Sequence, residues 1–169
     1  MDKAKKLSNE EIENKKWAFE TLKPGLKFKG KVKGVQPYGV FVTIKKGVDG
    51  LLPLRNISVS RIKDPSEMFK KGDNVDVLVE SFDKENGRIV FSHKEFLGTW
   101  EENVKSFQEG QTVIGKVKDR TRGGVFIELT PNLVGLAEHK SGLEYGEKVN
   151  VYIKKILPES HKIKLVILD

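Results

Sequence analysis

The chain has no cysteine and no long apolar run. Disulfide bonds and thiolate metal ligands are therefore excluded, and no segment approaches the roughly 20 apolar residues that a membrane-spanning helix needs. The histidines, His93, His139 and His161, are scattered, with no second histidine at a spacing typical of metal sites. We therefore expect no bound metal, no cofactor and no membrane association.

Motifs of enzymes are also missing. The sequence has no nucleophile motif, no glycine loop of the kind that cradles phosphates and no convincing pair of carboxylates. The N-terminus, MDKAKKLSNEE, lacks the apolar segment of a secretory signal. These absences predict a non-enzymatic protein without catalytic residues, located in the cytoplasm.

Positive charge, in contrast, is in excess, with a formal net charge of +7. Lysine and arginine outnumber aspartate and glutamate by 6 in residues 24–94, but by only 2 in residues 107–169. Basic surface favours polyanions because binding releases counterions. Excess lysine can also serve only to keep a protein soluble, and the charge alone does not decide between these interpretations.

The chain contains an internal repeat. The segment GKVK at Gly30 recurs 85 residues later at Gly115, whereas Gly72 matches Gly146 at an offset of 74. The second copy is therefore 11 residues shorter between its third and fourth strands. Agreement at many positions, including a shared GVF and a shared GL, argues against chance.

Local patterns predict the elements of each copy. Ser8 and Glu11 form a capping box that begins an N-terminal helix, and Pro24-Gly25 ends it. Alternation of period two predicts strands, because successive side chains of a strand point to opposite faces. Strands are expected at about 27–35, 38–45, 50–54, 74–82, 88–92, 112–121, 124–130, 134–138, 148–156 and 162–168. Two further capping boxes around Gly98 predict a short helical linker between the copies.

Five short antiparallel strands with glycine-rich turns in about 65 residues predict a small closed barrel of the oligonucleotide-binding (OB) type. The expected fold class is therefore mainly β, with two five-stranded OB barrels. We expect an N-terminal helix at 1–23, a first barrel at 24–94, a helical linker at 95–106 and a second barrel at 107–169.

The stretch from Gly30 to Leu52 combines basic and aromatic side chains. Alternation makes one face of the first strand basic, with Lys27, Lys29, Lys31 and Lys33. The same alternation turns Phe41 outward on the second strand. A lysine row beside an outward phenylalanine is poorly suited to a core, and it predicts a surface for an anionic and flat ligand.

The motifs of the first copy form one extended pattern. It comprises Gly30-x-Val32, Tyr38-Gly39-Val40-Phe41-Val42, Gly47-x-x-Gly50-Leu51-Leu52, Ile57-Ser58, Gly72-x-x-Val75-x-Val77, Asp83, Gly87-Arg88-Ile89 and Ser92-x-Lys94. This pattern resembles the S1 RNA-binding domain, strongly in the first copy and loosely in the second, over residues 24–169. Trp100-Glu101-Glu102 is similar to the linkers of tandem ribosomal protein S1 repeats. The resemblance implies two OB barrels of S1 type.

The resemblance also implies an RNA-binding face on the second and third strands and the turn before the fifth. The family's aromatic pair falls on Tyr38 and Phe41, and its acid and base near strand five fall on Asp83 and Arg88. Pro53 occupies the family's histidine position, so one stacking or hydrogen-bonding group is missing.

Cations of the first copy complete the predicted site. Lys31, Lys33 and Arg88 are the expected phosphate partners, and Arg88 is also able to stack on a base. Arg55 belongs to the segment that the second copy lacks, and it would widen the footprint on RNA.

Several of these residues also have a purely structural interpretation. Tyr38 either stacks on a base or holds the turn at the barrel mouth. Phe41 either stacks or packs against Met68-Phe69. Asp83 contacts a base or ribose, orients Arg88, or simply forms its turn.

The second copy departs from the family at most contact positions. It keeps Phe126, but Gly123 stands at the tyrosine position and the counterpart of Asp83 is lost. The retained candidates for auxiliary RNA binding are Lys116, Lys118, Phe126 and Lys162. The second copy is therefore either a weaker auxiliary domain or a packing partner.

The leading hypothesis is non-enzymatic binding of single-stranded RNA, mainly by the first domain, with mRNA or rRNA as partner and a role in translation or RNA turnover. The ribosome is a further candidate partner. The alternatives are a protein-interaction module that docks on a ribosome or nuclease assembly, and a fragment of a longer S1 array. No oligomeric state is predicted.

Overall fold

The computed structural model describes residues 6–168, so residues 1–5 of the predicted N-terminal helical region lie outside the described residues. Its α-helices are α1 (Asn9–Thr21) and α2 (Trp100–Val104). The first five strands are β1 (Lys27–Gln36), β2 (Gly39–Lys45), β3 (Val48–Pro53), β4 (Asn74–Asp83) and β5 (Arg88–Ser92). The next five are β6 (Thr112–Thr121), β7 (Gly124–Thr130), β8 (Leu133–Ala137), β9 (Lys148–Leu157) and β10 (Lys162–Ile167). Short 3-10 helices occupy Leu54–Asn56, Pro65–Glu67, Lys94–Leu97 and Pro158–Ser160.

By its internal contacts the chain divides into two units. The first unit runs to Ile57 and includes Lys63–Phe96, and the second consists of Ser58–Ile62 and the chain from Leu97 onward. No helix formed by the described residues is long and apolar enough to cross a membrane.

The first unit contains a closed barrel with the strand order β1-β2-β3-β5-β4. Neighbouring strands pair antiparallel except β3 and β5, which are parallel. Apolar side chains at alternate positions point into the barrel, as period-two alternation requires. The fully buried ones include Val40, Val42, Leu52, Val77, Val79 and Phe91.

The second unit repeats this topology as a closed barrel with the order β10-β8-β7-β6-β9, and its parallel pair is β8 with β10. Its fully buried side chains include Val125, Ile127, Leu133, Val151 and Ile153. The predicted fold class is thus confirmed: the protein is mainly β, with two five-stranded OB-like barrels, an N-terminal helix and a short helix between the barrels.

Helix α1 packs on the first barrel. Its N-cap, Ser8, accepts a hydrogen bond at Oγ from the backbone N–H of Glu11 at 3.1 Å, which confirms Ser8 as the predicted start of the helix. Ala18 is buried, and the Trp17 ring meets Phe28 of β1 edge-on at a centroid distance of 5.8 Å. Trp17 therefore packs α1 against the first barrel.

A β-bulge interrupts the basic strand β1. Val32 pairs with Val42, but the next paired position is Gly34 opposite Phe41, so Lys33 lies in the bulge. A bulge inserts an extra residue and bends the strand locally. The predicted row of four lysines therefore loses its regular alternation at Lys33.

Candidate nucleic-acid interface

The first barrel carries an exposed pair of aromatic rings. Tyr38 lies in the turn between β1 and β2 and is 56% exposed, while Phe41 is half-buried on β2. Their ring centroids are 6.1 Å apart with an interplanar angle of 85°. Gly39 allows this placement, because a Cβ there would lie 2.5 Å from the carbonyl oxygen of Leu52 on the adjacent strand. The predicted aromatic pair is thus assembled at the mouth of the barrel.

The structural interpretation of Tyr38 has a direct contact, whereas the suggested packing partner of Phe41 contacts another residue. The carbonyl oxygen of Tyr38 accepts a hydrogen bond from the Leu54 N–H at 3.0 Å, so its backbone holds the turn while its ring remains exposed. Phe69, the suggested packing partner of Phe41, instead meets His93 edge-on at 5.3 Å.

An aliphatic surface continues the aromatic pair across the barrel. Phe41 is paired with Leu51 of β3, and Leu51 is paired with Val90 of β5, all three half-buried. Arg88 precedes Val90 by two residues, so it lies on the same side of β5. Sequence reasoning missed Leu51 and Val90, although their alternation with buried neighbours is visible in the sequence.

Lys33 forms an ion pair within the first barrel. Its Nζ lies 2.6 Å from Oδ2 of Asp49, whose Oδ1 accepts a hydrogen bond from Oγ1 of Thr43 at 2.6 Å. Because this pair is solvent-exposed, it contributes about 0–1 kcal/mol, and a phosphate can compete with the carboxylate.

Arg55 also forms an exposed ion pair. Its Nη2 lies 3.0 Å from Oε1 of Glu80, and Oε2 of the same carboxylate accepts a hydrogen bond at 2.6 Å from the buried amide of Asn56. Sequence reasoning identified neither Asp49 nor Glu80 as partners, since both lie on other strands.

Four lysines line an open groove on β1 and the end of β2. We call this the lysine groove; it contains Lys29, Lys31, Lys45 and Lys46, with Asn74 and Asp76 of β4 on its far side. Lys31 is exposed and faces Thr43 across the ladder. The groove places cations at the end of β2 that is opposite to Tyr38. Its members Lys45 and Lys46 were not predicted as site residues.

The Asp83 carboxylate organises its own turn. Oδ2 accepts a hydrogen bond from Nδ2 of Asn86 at 2.7 Å, and Oδ1 accepts one from the Glu85 N–H at 3.1 Å. The side-chain hydrogen bond from Asn86 is the main cause that lowers the pKa of Asp83, and the nearby Arg88 charge lowers it further. Of the three interpretations of Asp83, turn formation is the one that these hydrogen bonds support.

Replacing Asn86 by alanine is therefore expected to raise the pKa of Asp83. A carboxyl with a lowered pKa stabilises the fold above its unfolded pKa, and this contribution is lost as pH falls through the folded value. In Asn86→Ala this contribution should be smaller, and its loss on acidification should be complete at a higher pH. The measurement is an NMR pH titration of the side-chain carboxyl carbons.

Asp64 is the internal control for this titration. The pKa of its carboxyl is also lowered, mainly by a backbone hydrogen bond from Ser66. The pKa of Asp64 should be the same in the parent protein and in Asn86→Ala. An unchanged pKa of Asp83 would show that Asn86 does not control that carboxyl.

The second barrel lacks the aromatic pair. Phe126 is half-buried on β7, opposite Leu136, and Gly123 leaves the tyrosine position without a side chain. Lys116 and Lys162 are exposed, as the prediction of auxiliary contacts requires.

Lys118 is buried, in contrast to the exposed lysine that alternation suggests. Its Nζ lies 3.4 Å from Oε2 of Glu128 and 3.3 Å from the hydroxyl of Tyr145, at 5.0 Å from the centroid of that ring. Separating a buried charge from its partner is expensive. Lys118 is thus placed as a structural residue of the second barrel.

The described residues 6–168 hold no group of three histidine, aspartate or glutamate side chains able to bind a metal ion. The outer surface of the first barrel carries aromatic rings, aliphatic side chains and cations. This combination defines the class of OB barrels, whose outer strands bind oligomeric ligands.

Comparison with known proteins specifies the class further. Residues 21–94 match the family described as S1 RNA binding domain. The first barrel therefore matches the S1 RNA-binding domain family, and the predicted similarity to ribosomal protein S1 repeats is confirmed by relatives of that name.

One such relative is small ribosomal subunit protein bS1 of Neisseria meningitidis, 33% identical over 93% of this chain and 28% of its own length. A protein of Clostridium acetobutylicum named 4-hydroxy-3-methylbut-2-enyl diphosphate reductase is 32% identical over 96% of this chain and 27% of its own length. The solution structure of GSP13 from Bacillus subtilis is 33% identical with a TM-score of 0.43, covering 45% of this chain and 58% of that one. The chain thus spans little more than a quarter of the two sequence relatives.

Proposed function

We propose that this protein binds single-stranded RNA without catalysing a reaction, and that the first barrel is the principal binding domain. The observation that carries the proposal is the Tyr38–Phe41 pair on the outer surface of an S1 RNA-binding domain. Exposed rings offer stacking platforms for unpaired bases, each worth about 1–3 kcal/mol.

The angle between the rings supports a single strand as the ligand. At 85° the two ring faces cannot stack on two bases that remain parallel to each other. A flexible single strand can turn its backbone between successive bases, whereas a duplex keeps neighbouring base pairs stacked and parallel. The geometry therefore favours unpaired nucleotides.

Cations around the rings supply the phosphate contacts of the proposal. Arg88 lies on the same side of β5 as the aliphatic surface, while Lys31 of the lysine groove faces Thr43, two residues from Phe41. Lys33 and Arg55 contribute when phosphates replace the exposed carboxylates of Asp49 and Glu80. RNA then runs from the barrel mouth along β1 and β2.

The second barrel has a lesser role in this proposal. It keeps Phe126 and the exposed cations Lys116 and Lys162, but its tyrosine position is glycine and Lys118 is buried. These side chains suffice for weak phosphate contacts without a two-ring platform. We therefore assign it auxiliary RNA binding.

Similarity to bS1 supports a role in translation, with mRNA or rRNA as the RNA and the ribosome as assembly partner. The cytoplasm is the compartment that this role requires. The reductase name belongs to a relative of which this chain covers 27%, and the S1 match offers no catalytic group, so we propose a non-enzymatic protein.

Affinity for oligo(U) is expected to fall steeply with salt. Neutralising roughly three to four phosphates of a single strand predicts a slope of log K against log [NaCl] of about −2 to −3, at roughly −0.7 per contact. Fluorescence anisotropy of labelled oligo(U) between low and physiological salt measures this slope.

Duplex RNA of equal length is the matched control, expected to bind at least about tenfold more weakly because its bases are not available for stacking. Equal affinity for both forms would overturn the single-strand assignment. Absence of saturable oligo(U) binding at low salt would overturn the proposed function itself.

A further inference from the structure

The outer face of β6, β9 and β10 in the second unit exposes apolar side chains. One row of cross-strand neighbours consists of Thr112, Tyr152 and Val166, and Ile114 follows on β6 beside Asn150 of β9. Ile114 is 65% exposed and Val166 is 41% exposed. We call this surface, completed by the exposed Leu168, the apolar band.

Pairs of like charges border the apolar band on both sides. Lys116 lies directly opposite Lys148 on one side, and Lys155 lies directly opposite Lys164 on the other. Like charges at such positions are mutually destabilising. Their presence favours a ligand that brings carboxylates to both edges of the band, and it disfavours a second copy of the same face.

The corresponding face of the first unit shows what such a surface binds. The repeat aligns Thr112, Tyr152 and Val166 with Lys27, Leu78 and Ser92, which form the same cross-strand row. In that unit the row is partly covered: Ser92 is only 1% exposed and Leu78 is half-buried, while Lys27 stays exposed.

The cover is the 3-10 helix Lys94–Leu97. Oγ of Ser92 donates a hydrogen bond to Oε1 of Glu95 at 2.5 Å, and Nζ of Lys27 lies 5.7 Å from the centroid of the Phe96 ring. One carboxylate and one aromatic ring of a short helical segment thus contact this face of the first barrel.

We propose that the apolar band of the second barrel binds a short helical peptide segment of a partner protein, one with an aromatic anchor and flanking carboxylates. Relative to the first copy, Ile114 replaces Lys29 and Val166 replaces Ser92, so the face has become more apolar. Three of its four exposed large side chains are aliphatic, which suits an apolar peptide side chain better than a stacked base. This inference is independent of the proposed RNA binding.

The probe is a labelled synthetic peptide with the sequence of residues 93–107, HKEFLGTWEENVKSF, added to the intact protein. Fluorescence anisotropy should show saturable binding that weakens with salt. The combined change Ile114→Glu with Val166→Glu removes two aliphatic side chains of the apolar band and adds carboxylates that repel those of the peptide, so it should weaken peptide binding at least tenfold. Lys164→Glu, which leaves the apolar residues in place, should also weaken it.

Matched controls use the same kinds of exchange on the exposed surface of the N-terminal region. Ile12→Glu with Leu7→Glu should leave peptide affinity unchanged, since both side chains are exposed in the first unit. A peptide in which the residues equivalent to Phe96, Leu97 and Trp100 are serine should not bind.

Four results would overturn the proposal. The first is absence of saturable peptide binding, and the second is equal binding by the parent and both variants. The third is a tenfold loss of oligo(U) affinity in Tyr152→Leu with peptide binding intact, which would assign the face to RNA. Light scattering that shows a dimer lost in Ile114→Lys would likewise assign it to self-association.

Discussion

Replacing Tyr38 and Phe41 together by alanine is expected to weaken oligo(U) binding by about 2–4 kcal/mol, or roughly 30- to 1000-fold. Tyr38 is exposed and Phe41 is half-buried on the outside of the barrel, and under the proposed function each ring stacks on an unpaired base. The salt dependence should remain nearly unchanged, because the lysines and arginines around the rings are retained. Anisotropy titrations at several salt concentrations measure both quantities.

Phe126→Ala is the matched control in the second barrel, since Phe126 corresponds to Phe41 in the repeat. It should reduce affinity by no more than a few-fold, because no second ring accompanies it at position 123. A larger loss from Phe126→Ala than from the double variant would move the principal site to the second barrel. Phe19, 54% exposed on α1, provides a second control for the loss of an exposed ring.

Phe91→Ala is expected to lower the free energy of unfolding of the first unit by about 3–5 kcal/mol. Phe91 is fully buried, and its ring lies against Gly50 of β3, where a Cβ would also meet the carbonyl oxygen of Ile89 at 2.9 Å. The barrel is small, so the cavity left by the ring cannot be refilled without moving paired strands. Urea denaturation, with amide hydrogen exchange of β4 and β5 as a local readout, measures the effect.

Phe19→Ala serves here as the control for loss of a phenylalanine ring from an exposed position. Its unfolding free energy should differ from the parent by less than about 0.5 kcal/mol. If Phe91→Ala were equally mild, the packing of the ring against Gly50 would not be a major source of stability.

The strands and their ends were predictable because they depend on local pattern. Alternation with period two defined β6 at 112–121 and β7 at 124–130, and the observed strands have the same ends. Ser8 caps α1 as its spacing from Glu11 predicts. The repeat also predicted packing, because the matching glycines Gly50 and Gly135 both lie against a core side chain. Gly50 lies against Phe91, and Gly135 lies against Leu165, whose Cδ1 would be 2.5 Å from a Cβ added at Gly135.

The candidate site was predictable only in part. Tyr38 and Phe41 are three residues apart, and the tight turn between β1 and β2 brings them together without help from distant parts of the chain. The aliphatic continuation through Leu51 and Val90 requires the β2–β3 and β3–β5 pairings. Parallel pairing of β3 with β5 is a long-range contact that no local pattern specifies.

The sequence by itself determined the strands, the turns, the repeat and the aromatic pair. The tertiary structure alone decided which cations are exposed and which are paired. Lys33 meets Asp49 and Arg55 meets Glu80 across strands, while Lys118 is buried beside Glu128. The physical reason is that alternation fixes only the side of the sheet on which a side chain lies, whereas its neighbours there depend on strand order, register and bulges.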